Sequence, residues 1–209
     1  MSKKTAKGKK SRPLPKQNLQ ISNSIARKST AIVPSDYLLH AQDYPLYGCW
    51  IMASWQDQGL TPVVVARQQG PDRVMCAVYM VDLYCLGIKD VFVKMDYSLN
   101  RFERDLPQFC ASDPIKCSVE LAHEIIYGAL EYAAKLGFQP HSDYHKQKAD
   151  LMLDPPDAHP HLDHVSFGKD GKPFFVAGPY DNQQKIKFVL DTLRRTSGEG
   201  NFNFVTGLG

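Results

Sequence analysis

"TPVVVARQQGPDRVMCAVYMVD", residues 61–82, is the stretch on which the fold turns. Two runs rich in β-branched and aromatic residues, 63–68 and 73–81, flank "QGPD", whose glycine and proline suit a tight turn. That spacing predicts a β-hairpin. A strand with one face in water alternates polar and apolar residues, and these runs are nearly all apolar, so both faces are expected to be covered.

Working outward, "DVFVKMDY" (90–97) reads as a third strand, and residues 48–54 suit a strand or a buried helical segment. "SLNRFERDLPQFC" (98–110) predicts a helix capped by Ser98, with Leu99, Phe102 and Leu106 on one face. "SVELAHEIIYGALEYAAKLGF" (118–138) predicts the strongest helix, capped by Ser118 and closed at Gly137, with Leu121, Ile125, Gly128, Ala129 and Tyr132 along one stripe. A mid-helix glycine costs about 1 kcal/mol against alanine, so close packing at Gly128 is expected.

"DNQQKIKFVLDTLRRTSG" (181–198) predicts a further helix, capped by Asp181, with Ile186, Val189, Leu190 and Leu193 inward and Gly198 at its end. Between these helices "VSFGKDGKPFFVAGPY" (165–180) suits a small hairpin around "KDGK", and "FNFV" (202–205) a short strand at a sheet edge. A short helix capped by Ser35 and stopped by Pro45 opens the domain. The expected fold is α+β: a central, mostly antiparallel sheet packed by two or three helices, in a single domain over 35–209, behind a disordered basic N-terminal tail over 1–30.

Charge is divided sharply along the chain. The net charge is +3, but residues 1–30 hold nine Lys or Arg and no Asp or Glu, leaving 16 basic and 22 acidic residues in the remainder, a balance of −6. Low hydrophobicity and one-sign charge are the composition of a segment that stays disordered. Lys3, Lys4, Lys7, Lys9, Lys10 and Arg12 are spaced by small residues and suit phosphate neutralisation without base reading, so nucleic acid or a ribonucleoprotein is the expected partner of the tail. The body carries no RNA-recognition, KH or helix-turn-helix signature.

No apolar run approaches the ~20 residues that span a bilayer, and no apolar stretch follows the basic N-terminus, so neither membrane nor secretion is expected and a cytoplasmic location is. Five cysteines, Cys49, Cys76, Cys85, Cys110 and Cys117, form no C-x-x-C pair and read as reduced, mostly buried thiols.

Two stretches carry candidate chemistry. In "VDLYCLGIKD", Asp82 ends an apolar strand, and Lys89 and Asp90 follow a glycine turn, an arrangement found at active sites and more often as a turn cap with a structural ion pair. Five of the seven histidines fall between 141 and 164. His141 and His145 are four apart, on one face of any helix there, and "HPHLDH" supplies His159, His161, Asp163 and His164. His123 suits a half-buried polar position on the long helix.

"HPHLDH" resembles the H-x-H-x-D-H motif of the metallo-β-lactamase superfamily of zinc hydrolases, which implies two metal ions activating a bridging hydroxide. The superfamily needs further histidines downstream, and residues 165–209 contain neither His nor Cys. The motif also sits among the prolines of "DPPDAHPHLDH", so a polar loop is expected. The helix followed by "LGF" resembles acetyltransferases of the GNAT type, but the Gly-rich loop preceding it in that family is missing from "CASDPIKCSVE".

"VDLYCLGIKD", "YGALEYAAKLGFQPHSD" and "FGKDGKPFFVAGPYDN" together are similar to segments of bacterial chains known as hypothetical proteins. That resemblance implies a bacterial, intracellular origin and no particular activity. Two functions therefore stand as expectations. One is a non-enzymatic binding module, without cofactor, whose tail contacts nucleic acid or a nucleoprotein partner and whose body engages a protein. The other is a metal-dependent hydrolase or nuclease, using zinc or manganese with Asp82, Asp90 and the histidines of 141–164.

Overall fold

A computed structural model describes residues 38–206; the basic tail, the helix start expected at Ser35 and the last three residues lie outside the described residues. Within them, β1 (Leu46–Met52), β2 (Leu60–Gly70), β3 (Arg73–Asp82), β4 (Gly87–Ser98) and β5 (Pro114–Cys117) form one antiparallel sheet in the order β4-β3-β2-β1-β5. The hairpin read from 61–82 is its centre. β2 and β3 pair from Leu60–Asp82 to Gly70–Arg73, so the turn narrows to Pro71 and Asp72, and a bulge at Gln68–Gly70 absorbs the register shift.

Val63, Val64, Val65 and Ala66 have no accessible surface. Successive side chains on a strand point to opposite faces, so four consecutive buried residues require cover on both. One cover is α1 (Leu99–Phe109), which lays Phe102 and Leu106 on Val64, Ala66, Val74, Cys76 and Val78. Pro107 sits inside that helix, and Ser98 occupies the cap position without a side-chain capping bond. Tyr47, Trp50, Phe92 and Phe109 pack around this core, and Lys94 caps it, its ammonium 4.6 Å from the Phe109 ring centre and 4.7 Å from that of Tyr97.

The long helical stretch covers the other face in three segments: α2 (Val119–His123), a π-helical turn (Glu124–Gly128) and α3 (Ala129–Lys135). Ser118 caps it as expected, accepting from Leu121 N at 3.2 Å. The π turn widens the helix next to Gly128, and there Phe167 enters so closely that a Cβ on Gly128 would lie 2.3 Å from the ring's Cζ. The close packing expected at this glycine is thus met by an aromatic ring from the 165–180 segment.

α4 (Asp143–Lys146) and its flanks cap the open edge of β4: His141 N donates to Ile88 O (2.8 Å), and Val93 N donates to Gln147 Oε1 (3.0 Å). An edge strand covered in this way presents fewer free backbone groups to other chains.

The C-terminal part differs from expectation in its pairing. Around "KDGK" a single Lys169–Lys172 bridge forms, and β6 (Phe174–Val176) instead pairs in parallel with β7 (Asn203–Val205), a separate two-stranded sheet. α5 (Gln183–Ser197) connects them and sends Val189 and Leu193 into a core with Cys85, Phe138, Phe175 and Phe202. Asn182, not Asp181, caps α5, accepting from Lys185 N at 2.8 Å. Asp181 instead accepts from Gly178 N and pairs with the Lys185 ammonium. Two adjacent capping residue types offered a choice that loop packing settled.

Candidate functional site

Asp82 and Lys89 lie together at the β3–β4 turn. Asp82 is buried, and its Oδ1 accepts from the backbone N–H of Tyr84 (2.9 Å) and Cys85 (3.0 Å), with Lys89 Nζ 4.0 Å from Oδ2. Burial pushes its pKa above the ordinary 3.8, against the pull of the Cys85 N–H, Lys89 and the Tyr84 N–H. A carboxylate tied to two amides of its own turn is a turn cap. Asp90 follows Lys89 but points out on the β4 edge, mostly exposed, away from that cap.

The histidines singled out from the sequence are distributed over separate places. His141 faces Asp90 (Nδ1–Oδ1 3.9 Å), while His145 pairs with Asp150 (3.1 Å) on the far side of α4. His159 Nε2 donates to Asp154 Oδ2 (3.3 Å) and its ring meets His123 edge-on at 4.8 Å. His123 is buried and donates through Nε2 to Pro155 O (2.9 Å). His161 leans on the long helix, and Asp163 and His164 are exposed on the loop. "HPHLDH" is the irregular loop its prolines suggested.

His161 meets a residue that sequence reading passed over. Glu124, at the start of the π turn, is buried, and its carboxylate accepts from His161 Nδ1 (3.2 Å) and Leu162 N (3.3 Å). Because a carboxylate only accepts, this contact puts a proton on His161 Nδ1. The pair borders a cleft lined by Gly128, Glu131, Tyr132 and Phe167. π turns recur at functional sites, but within this cleft the carboxylate anchors the loop to the helix.

A second buried network holds the same loop from the other end. Arg67 donates to the carbonyls of Met152 (2.8 Å), Tyr44 (2.9 Å) and Gln42 (3.2 Å) and to Asp154 Oδ1 (3.1 Å). Asp154 thereby bridges Arg67 and His159.

Only one group of metal-ligating side chains converges among the described residues. Asp90, His141 and Asp143 each offer a donor atom, and these lie within 4.8 Å of one another. Two of its members were singled out from the sequence in different contexts. Asp143 was missed; its one signal is its place two residues after His141, and nothing in the primary structure ties it to Asp90, over fifty residues earlier.

The tail residues Lys3, Lys4, Lys7, Lys9, Lys10 and Arg12 lie outside the described residues. No helix among the described residues is long and apolar enough to cross a membrane. Comparison with family models, curated proteins and solved structures gives no match.

Proposed function

We propose that this chain is a non-enzymatic binding module that engages nucleic acid or a nucleoprotein partner through its basic N-terminal residues. The observation that carries the reading is the charge division: nine cations and no anion in residues 1–30, against a body of balance −6. Counterion release from phosphates rewards such a cationic segment whatever the base sequence, and an acidic body contributes little to it. The buried charged groups Arg67, Asp82 and Glu124 are each engaged by backbone groups of the fold, which gives them structural roles within the body.

The test is fluorescence anisotropy of the full chain with a single-stranded RNA over roughly 50–200 mM salt. Six phosphate contacts predict a slope of log K against log salt of about −4. Replacing Lys3, Lys4, Lys7, Lys9, Lys10 and Arg12 with glutamine should remove most of the affinity and most of that slope. Unchanged affinity and slope in that variant would refute the role given to the tail.

A second reading, a metal-dependent hydrolase or nuclease using zinc or manganese, has one observation in its favour, the approach of Asp90, His141 and Asp143. Phosphodiester cleavage that appears with added ion and vanishes with chelator would support it; none in either condition would remove it.

A further inference from the structure

We infer that Asp90, His141 and Asp143 form a divalent-cation site, suited to Zn²⁺, that clamps the 141–147 segment onto the edge of β4. The donor atoms lie within 4.8 Å of one another and comprise one imidazole nitrogen and two carboxylate oxygens. Imidazole nitrogen and carboxylate oxygen are both ligand atoms that Zn²⁺ takes, and solvent would complete its coordination at this exposed edge.

Two further observations favour a cation there. The first is charge. Neither Asp90 nor Asp143 has a Lys or Arg within 4.0 Å among the described residues, and the only basic group near Asp90 is His141, at 3.9 Å, too far for a hydrogen bond. Two carboxylates brought to one imidazole without a Lys or Arg beside them leave room for a divalent ion to bridge all three.

The second is the support around the donors. His141 is pinned by its backbone N–H to Ile88 O on the strand that carries Asp90. Asp143 Oδ2 accepts from Gln147 Nε2 (3.0 Å), while Gln147 Oε1 accepts from Val93 N (3.0 Å) on that same strand. Outer groups of this kind orient ligands and hold an ion in register. His141 Nδ1 accepts only a long contact from Asp143 N (3.3 Å). The clamp is a structural role, and it stands whether or not the tail binds nucleic acid.

The test is titration of the full, chelator-treated chain with Zn²⁺ alone by calorimetry, with Co²⁺ as a visible-absorption probe of the ligand field. One equivalent should bind, and at a hundredfold excess over Kd the Tm should rise by roughly 5–10 °C. The triple variant Asp90→Asn, His141→Gln, Asp143→Asn should lose that equivalent and the Tm shift, while His145→Gln retains both. All three replaced side chains lie at the surface or its margin, and circular dichroism of the variant verifies that the fold persists. No binding by the wild-type chain, or equal binding by the triple variant, overturns the site. One bound equivalent without phosphodiester cleavage leaves the clamp standing and removes only the hydrolase reading.

Discussion

Arg67, in the middle of β2, places its guanidinium 3.1 Å from the carboxylate of Asp154, 87 residues later in the chain. The arginine side chain is 6% exposed and Asp154 39%, so this contact and three carbonyls take the place of water around the buried partner. One side chain thus holds the loops at Gln42–Tyr44 and Met152–Asp154 against the sheet.

Arg67→Ala removes that hub and leaves three carbonyls and a carboxylate short of a donor. The expected loss is about 3–5 kcal/mol in urea unfolding. Asp154→Asn keeps an acceptor for Arg67 at a half-exposed position, and its cost should be about 1 kcal/mol or less. Equal effects of the two variants would contradict the central place given to the arginine.

Gly87 opens β4 with φ +68°, and a Cβ there would stand 2.9 Å from Ala133 Cβ and 3.1 Å from Ala129 O on α3. Gly171 has a similar φ, +76°, with nothing within 4 Å. Gly171→Ala should therefore carry only the backbone cost of about 1–2 kcal/mol. Gly87→Ala should cost about 1–3 kcal/mol more, for overpacking between turn and helix. Thermal unfolding of the pair separates conformation from contact.

Asp82 titrates in a direction that follows from its burial. Its folded pKa lies above the ordinary 3.8, so the folded state holds the proton more tightly than the unfolded one. Stability contributed by this group therefore rises as pH falls through the folded pKa and levels off below 3.8. Asp82→Asn keeps an acceptor for the Tyr84 and Cys85 amides without burying a charge. The variant should be at least as stable as the parent at pH 7, with its advantage shrinking toward pH 4, as read by Tm against pH.

The thiols should be unreactive in the folded chain. All five cysteines are free, and burial pushes Cys49 and Cys76 up to about 12 and Cys110 and Cys117 to about 11, while Cys85 is raised further. At pH 7.4 such groups hold almost no thiolate, the reacting form. Alkylation followed by mass spectrometry should mark at most the partly exposed Cys117 in the native chain and all five in denaturant. Rapid native labelling of two or more would show that the sheet opens.

The hairpin, the α+β class and the helix boundaries at Ser118 and Gly198 are local properties. Side-chain periodicity, β-branching and capping chemistry act over a few residues, so residues 61–82 and 118–138 carry their own structure in their order. Gly128 was also legible as a site of close packing, because a helical glycine costs stability that only a near neighbour offsets. Which neighbour it met was not legible: Phe167 arrives from almost forty residues away, and the π turn that admits it leaves no mark on the helical pattern.

The candidate site divides along the same line. By itself the sequence determined the charge division, the candidate residue types and the irregularity of the "HPHLDH" loop. Only the tertiary structure decided that Asp82 caps a turn, that His161 rests on Glu124, that His159 belongs with Asp154 and Arg67, and that Asp90 meets His141 and Asp143. The parallel pairing of β6 with β7 was decided there too. In each case the partners lie on different elements, and their distance is set by how helices and loops pack on the sheet, a balance of burial and hydrogen bonding that no short stretch of chain encodes.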